Sequence, residues 1–179
     1  YELTQALAAG QTSLLVKPSP ELLALDNPYD TTARIASGAP YLWDHALFNE
    51  RYYVYFGVLP AVIYYLPFYA VTGGAELPNW VAIGISYALS AIGMAFLVFN
   101  CCKKWFPGTK QASFLLGFIT LLLGSWAIPC AQFPDLYNIP ISLGLACAIW
   151  GIAFLIKAIT PRKASLLNAC LGTTFLSLT

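Results

Sequence analysis

The sequence predicts an all-α protein, a polytopic transmembrane helical bundle of four spans preceded by an extracytoplasmic loop with juxtamembrane helices. Three observations predict it: the composition, the distribution of charge, and the sign of the charge in the loops. Charged residues make up 9% of the chain and hydrophobic ones 59%, whereas ordinary soluble domains carry about 25% and roughly 45–50%. No Asp, Glu, Lys or Arg falls in residues 80–100, 111–131, 137–156 or 164–179. About 20 apolar residues at 1.5 Å per residue cross a hydrocarbon core of about 30 Å, so each stretch is a span candidate. The last stops at Thr179 and is expected to be truncated. The chain opens at Tyr1 with neither a Met nor a signal-like apolar run, and a fragment of a longer protein is the expectation.

Residues 1–51 form the first segment. They hold six of the eight acids and four prolines, show no sustained strand alternation, and are expected to be an irregular extracytoplasmic loop with short helices. Leu3, Ala6 and Leu7 have helical spacing and stop at Gly10. Ser19 or Pro20 can open a short helix that ends before Pro28. Asp30-Thr31-Thr32 can cap a further turn through Arg34.

Residues 52–79 come next. The run at 52–72 is long and apolar enough to be counted as a crossing, but it carries Pro60, Pro67 and six tyrosines. Each proline removes a helix hydrogen bond, and tyrosine favours the headgroup level. The expectation is therefore a juxtamembrane or re-entrant pair of helices. Residues 80–179 then hold the spans.

Charge orients the bundle. Lys103, Lys104 and Lys110 lie in one loop and Lys157, Arg162 and Lys163 in another, with no acid in either. Both loops should be cytoplasmic. Glu76 and Asp135 occupy the alternate connections, which places residues 1–79 and the 132–136 loop outside the cytoplasm. The five cysteines are mostly within or beside apolar stretches, where Cys behaves as a small hydrophobe, and a disulfide framework is not expected. Cys101-Cys102 beside Lys103-Lys104 is also a juxtamembrane S-acylation candidate.

No basic patch is large enough to grip nucleic acid, and no zinc, P-loop, dinucleotide or nucleophile-elbow motif is present. What remains for chemistry is Asp44, His45, Glu50 and Arg51 before the apolar run, with Asp135 on a short loop. A carboxylate at the membrane surface can act as a general base or hold a divalent metal bound to a phosphate. The competing reading of Asp135 is a solvated turn. Arg51 suits a lipid phosphate because its planar fork binds oxygens in pairs, and interfacial anchoring is its plainer role. Asp44-His45 fits a local turn contact or proton transfer.

As a set, the run Pro-Tyr-Leu-Trp-Asp-His-Ala-Leu-Phe-Asn-Glu-Arg-Tyr-Tyr-Val-Tyr-Phe-Gly-Val-Leu-Pro at 40–60, followed by Leu-Pro-Phe-Tyr and Thr-Gly-Gly and later by Phe-Pro-Asp at 133–135, resembles bacterial integral membrane glycosyltransferases of the GT-C class. Protein O-mannosyltransferases and lipid A aminoarabinose transferases belong to that class. The resemblance implies a polyprenyl-phosphate sugar donor, an extracytoplasmic acceptor and a site in the bacterial cytoplasmic membrane. It makes Arg51 a phosphate contact and Asp135 a second, loop-borne acid. The class's loop-opening acid would fall at or before residue 1, where Glu2 is the nearest carboxylate.

Two other classes compete. A transporter would use the proline-broken stretch as a discontinuous helix beside a substrate path, although the clear spans lack the ionisable residues that usually mark such paths. A non-catalytic scaffold would use the tyrosine-rich stretch to bind lipid or a partner subunit.

Overall fold

The computed structural model describes residues 2–125, 127–159 and 165–179; Arg162 and Lys163 of the second basic loop lie outside them. Two compact units divide the chain, Tyr1–Leu77 and Pro78–Thr179.

The turn signals of the first unit become caps. Helix α1 (Glu2–Ala8) closes at Gly10, whose φ of 77° lets Gly10 and Gln11 donate back to Leu7 and Ala6, the paired bonds of a left-handed helix stop. Ser19 caps α2 (Pro20–Leu23) through the Leu22 amide. Asp30 caps α3 (Thr31–Ser37), accepting from Thr32 at 2.8 Å and Ala33 at 3.3 Å. Beside the short helices expected there, a short antiparallel hairpin also forms, β1 (Ala46–Phe48) and β2 (Arg51–Tyr53), with Phe48 opposite Arg51. Asn49 and Glu50 form its two-residue turn at φ 47° and 57°, the left-handed pair that matches strand twist.

Both edges of this hairpin are occupied. Leu14 donates to the Tyr52 carbonyl at 2.8 Å, while the Tyr29 hydroxyl accepts from the Leu47 amide and donates to its carbonyl. A short hairpin is marginal alone. This one is held by a core of Leu3, Leu14, Leu22, Ala39, Tyr52 and Ala61.

The tyrosine-rich stretch continues into one helix, α4 (Val58–Thr72). Its prolines do not break it. Pro60 sits in the first turn, where its missing N–H is not needed. Upstream of Pro67, Ala61–Tyr65 widens into a π-turn with Leu66 donating to the Ala61 carbonyl, which re-registers the helix around the proline. A helix pair is thus replaced by a single helix of about 22 Å, short of a hydrocarbon core of about 30 Å. Burial pushes the Tyr65 hydroxyl up to about 12, with Glu76 adding to the shift, so the phenol stays neutral at neutral pH.

The second unit is helical: α5 (Asn79–Trp105), α6 (Gln111–Gly124), α7 (Ala127–Gln132), α8 (Asn138–Ala158) and α9 (Leu166–Ser177). Helices α5 and α8 are long and apolar enough to cross a membrane. Only 39% and 44% of their most apolar windows are buried, unlike core helices of soluble proteins, and Ile85, Ile92, Phe99, Ile141 and Ile152 face outward. The stretch at 111–131 is not one continuous helix. Ser125 turns extended at ψ 162°, so Pro129 falls in the first turn of a new helix, α7, and no carbonyl four residues back collides with its ring. Helix α9 is about 18 Å long. Among the described residues, two helices are long and apolar enough to cross a membrane, with shorter apolar helices at Gln111–Gly124 and Leu166–Ser177.

Small residues let α5 and α8 pack. Ala82, Ser86, Ser90 and Gly93 are buried along one side of α5, and Ser142, Ala146 and Ala153 along α8. A Cβ on Gly93 would come within 3.0 Å of Trp150 Nε1, and that indole donates to the Leu89 carbonyl at 3.0 Å. The two helices run parallel: Asn79 at the start of α5 donates to the Pro134 carbonyl just before α8, and Lys104 at the other end donates to the Ile159 carbonyl just after it. Lys103, Lys104 and Lys157 thus share one end of this unit and Asp135 takes the opposite one.

Candidate functional site

Asp44 and His45 stand at the open end of the hairpin. Asp44 takes φ 53°, a left-handed conformation that Asp tolerates better than most residues but that still marks strain. His45 Nδ1 lies 2.6 Å from the Trp43 carbonyl. A carbonyl can only accept, so Nδ1 carries the hydrogen and Nε2 of the neutral ring is left as a proton acceptor. The ring stands edge-on to Tyr52 at 6.4 Å.

Beside them opens a pocket of about 300 Å³ bounded by Arg34, Tyr41, Trp43, Asp44, His45 and Tyr55. Arg34 comes from α3, which Asp30 starts and Gly38 stops. Its guanidinium lies 4.2 Å over the Tyr41 ring and Nη2 donates to the Tyr29 carbonyl at 3.1 Å. Its Nε is buried with no hydrogen-bond partner among the described residues. Trp43 and Tyr55 are 68% and 64% exposed, so aromatic surface lies open beside a base, an acid and a cation. That combination can stack a flat apolar face, accept a proton and bind an anion.

Arg51 lies elsewhere in the same unit. It flanks the turn end of the hairpin, in a separate groove of about 490 Å³ with Lys17 and Glu50. Three residues of strand, about 10 Å, separate its register position from His45. Arg34, which the sequence reading uses only to end a helical turn, is therefore the cation grouped with Asp44 and His45. The signal that could have found it is the pair of caps that fixes α3 over Tyr41.

Asp135 belongs to the second unit. Its Oδ1 accepts from the Tyr137 amide at 3.0 Å and the Asn138 amide at 2.7 Å, and Asn138 Nδ2 returns to the Phe133 carbonyl at 2.8 Å. The carboxylate opens α8, and its negative charge sits favourably at the positive end of that helix. The turn reading of Asp135 thereby gains a definite physical basis. No three His, Cys, Asp or Glu side chains converge as a metal site among the described residues.

Comparison of the chain with protein-family models, curated proteins and solved structures finds no match.

Proposed function

We propose that this chain forms part of an integral membrane glycosyltransferase of the bacterial cytoplasmic membrane, transferring a sugar from a polyprenyl-phosphate donor to an extracytoplasmic acceptor. The observation that carries the reading is the pocket at 41–45. Its imidazole is held in the tautomer that accepts a proton, a guanidinium lies alongside, and open aromatic surface suits the apolar face of a pyranose. The run at 40–60, which carries the likeness to GT-C enzymes, supplies most of that pocket.

In this reading α5 and α8 cross the bilayer, α6 with α7 make a broken crossing, and α9 begins a fourth. The lysine-bearing end of the second unit faces the cytoplasm, while residues 1–79 and the 132–136 loop face outward. His45 Nε2, or the Asp44 carboxylate, takes the proton from the acceptor hydroxyl as its oxygen bonds to the anomeric carbon. The bond from that carbon to the donor phosphate oxygen breaks, and Arg34 stabilises the departing phosphate. Arg51 and Lys17 form a second cationic contact for the donor lipid, and Asp135 serves as a helix cap.

The experiment is turnover of a lipid-linked sugar by membranes bearing the full-length protein. His45→Gln and Arg34→Lys should each lower it by about 10² or more, with extractable protein and thermal midpoint unchanged. Arg34→Lys keeps the charge and loses the fork. Retained turnover in both variants would remove the pocket from the reaction. A transporter is the second reading, favoured by the helix break at Ser125, since discontinuous helices mark substrate paths; vectorial movement of a lipid without transfer would support it.

A further inference from the structure

At the lysine-bearing end of the second unit, a groove of about 390 Å³ opens between the end of α5 and the start of α6, bounded by Phe99, Cys102, Lys103, Phe106, Pro107 and Phe114. A tight turn holds it open: Thr109 bonds the Phe106 carbonyl through both its amide, at 3.1 Å, and its hydroxyl, at 2.7 Å, and Gly108 takes φ 98°. We propose that this groove binds an anionic phospholipid, with its acyl chain along Phe99, Phe106 and Phe114 and its phosphate at Lys103.

Charge and chemistry select that occupant. Three aromatic rings line one wall and one cation stands at the rim, a pairing that matches a lipid better than a soluble anion or a neutral hydrocarbon. Among the other described lysines at this end, Lys110 is exposed at the start of α6, while Lys104 and Lys157 are engaged. Lys104 bonds the Ile159 carbonyl and covers Trp105 at 4.6 Å, and Lys157 lies 5.3 Å over Phe96. Lys103 is exposed and stands 6.0 Å from the Phe99 centroid, the outer limit of a useful cation–π contact. No acidic residue occurs between Glu76 and Asp135 to neutralise it from nearby sequence. The volume is within the range of small-molecule sites, roughly 300–1,000 Å³. This inference rests on the bilayer placement of α5 and is independent of the transferase chemistry.

The test uses the full-length protein in neutral detergent, offered phosphatidylglycerol or phosphatidylcholine of the same acyl length and read by native mass spectrometry. Phosphatidylglycerol should be retained in preference. Lys103→Gln should lower its occupancy about fivefold, the weight of one lysine at an anionic surface, while Lys157→Gln, the same charge change at the same end, should not. Phe114→Ala should weaken both lipids. Equal loss in the two lysine variants, or no preference for the anionic lipid, would overturn the proposal. So would an adduct that survives denaturation and is released by hydroxylamine, since that is an acyl thioester on a cysteine such as Cys102. Alkaline carbonate extraction run alongside separates the failures: protein kept in the membrane pellet without lipid selectivity sinks the groove alone, and protein released to the supernatant sinks the bilayer placement with it.

Discussion

At Asp135 two roles compete for one carboxylate, and substitution separates them. Asparagine caps a helix about as well as aspartate, while alanine forfeits about 1 kcal/mol. Asp135→Asn should therefore keep the thermal midpoint in detergent and keep turnover, and Asp135→Ala should lower the midpoint by a few degrees. Loss of turnover in Asp135→Asn with an unchanged midpoint would restore the carboxylate to the chemistry. The Phe-Pro-Asp run exposes the turn in the sequence, because Pro and Asp both favour it. The bonds to Tyr137 and Asn138 were less legible, since the same three residues also suit a surface acid. His45 shows the opposite limit: its presence was plain, yet its tautomer depends on the Trp43 carbonyl, a backbone group that no side-chain pattern reports.

Elements are most legible in a sequence where a single physical rule governs them. The caps at Ser19 and Asp30 and the stop at Gly10 follow from side-chain oxygens and from glycine's left-handed freedom, and they fall where the sequence predicts. The hairpin was missed because its turn is Asn-Glu rather than Asn-Gly and its strands are three residues each, too short for alternation to register. Pro60 and Pro67 look like breaks in the sequence, whereas a π-turn absorbs the second; Pro129 sits just beyond the break at Ser125.

Close helix packing supplies the prediction at this scale. A Cβ on Gly151 would lie 2.6 Å from Leu176 Cγ and 3.1 Å from the Gly172 carbonyl, and one on Gly172 would lie 3.0 Å from the Gly151 carbonyl. Such glycine pairs let backbones approach inside a membrane. Gly151→Ala and Gly172→Ala should each destabilise the α8–α9 contact by about 1–3 kcal/mol, read as a lower thermal midpoint. Gly124→Ala, where nothing lies within 4 Å of the added carbon, should leave it within error. Equal midpoints for all three would mean that α9 does not pack as described.

For the whole molecule, the parallel run of α5 and α8 brings Lys103, Lys104 and Lys157 to one end of the second unit. The positive-inside rule groups the same lysines on one side from sequence alone. The apolar composition makes the long apolar helices legible. The lengths of the helices are not, because a charge-free stretch reports where a chain can be buried and not where its backbone stays helical. The orientation proposed above leaves residues 1–79 outside the cytoplasm and the lysine-bearing end of the second unit inside. It is tested most directly by placing single cysteines at Ser37 and Lys110 in a chain whose five native cysteines are replaced by serine or alanine, then labelling intact cells with a membrane-impermeant maleimide. Position 37 should label at once and position 110 only after permeabilisation. Labelling of both positions in intact cells, or of neither until the membrane is opened, would contradict it.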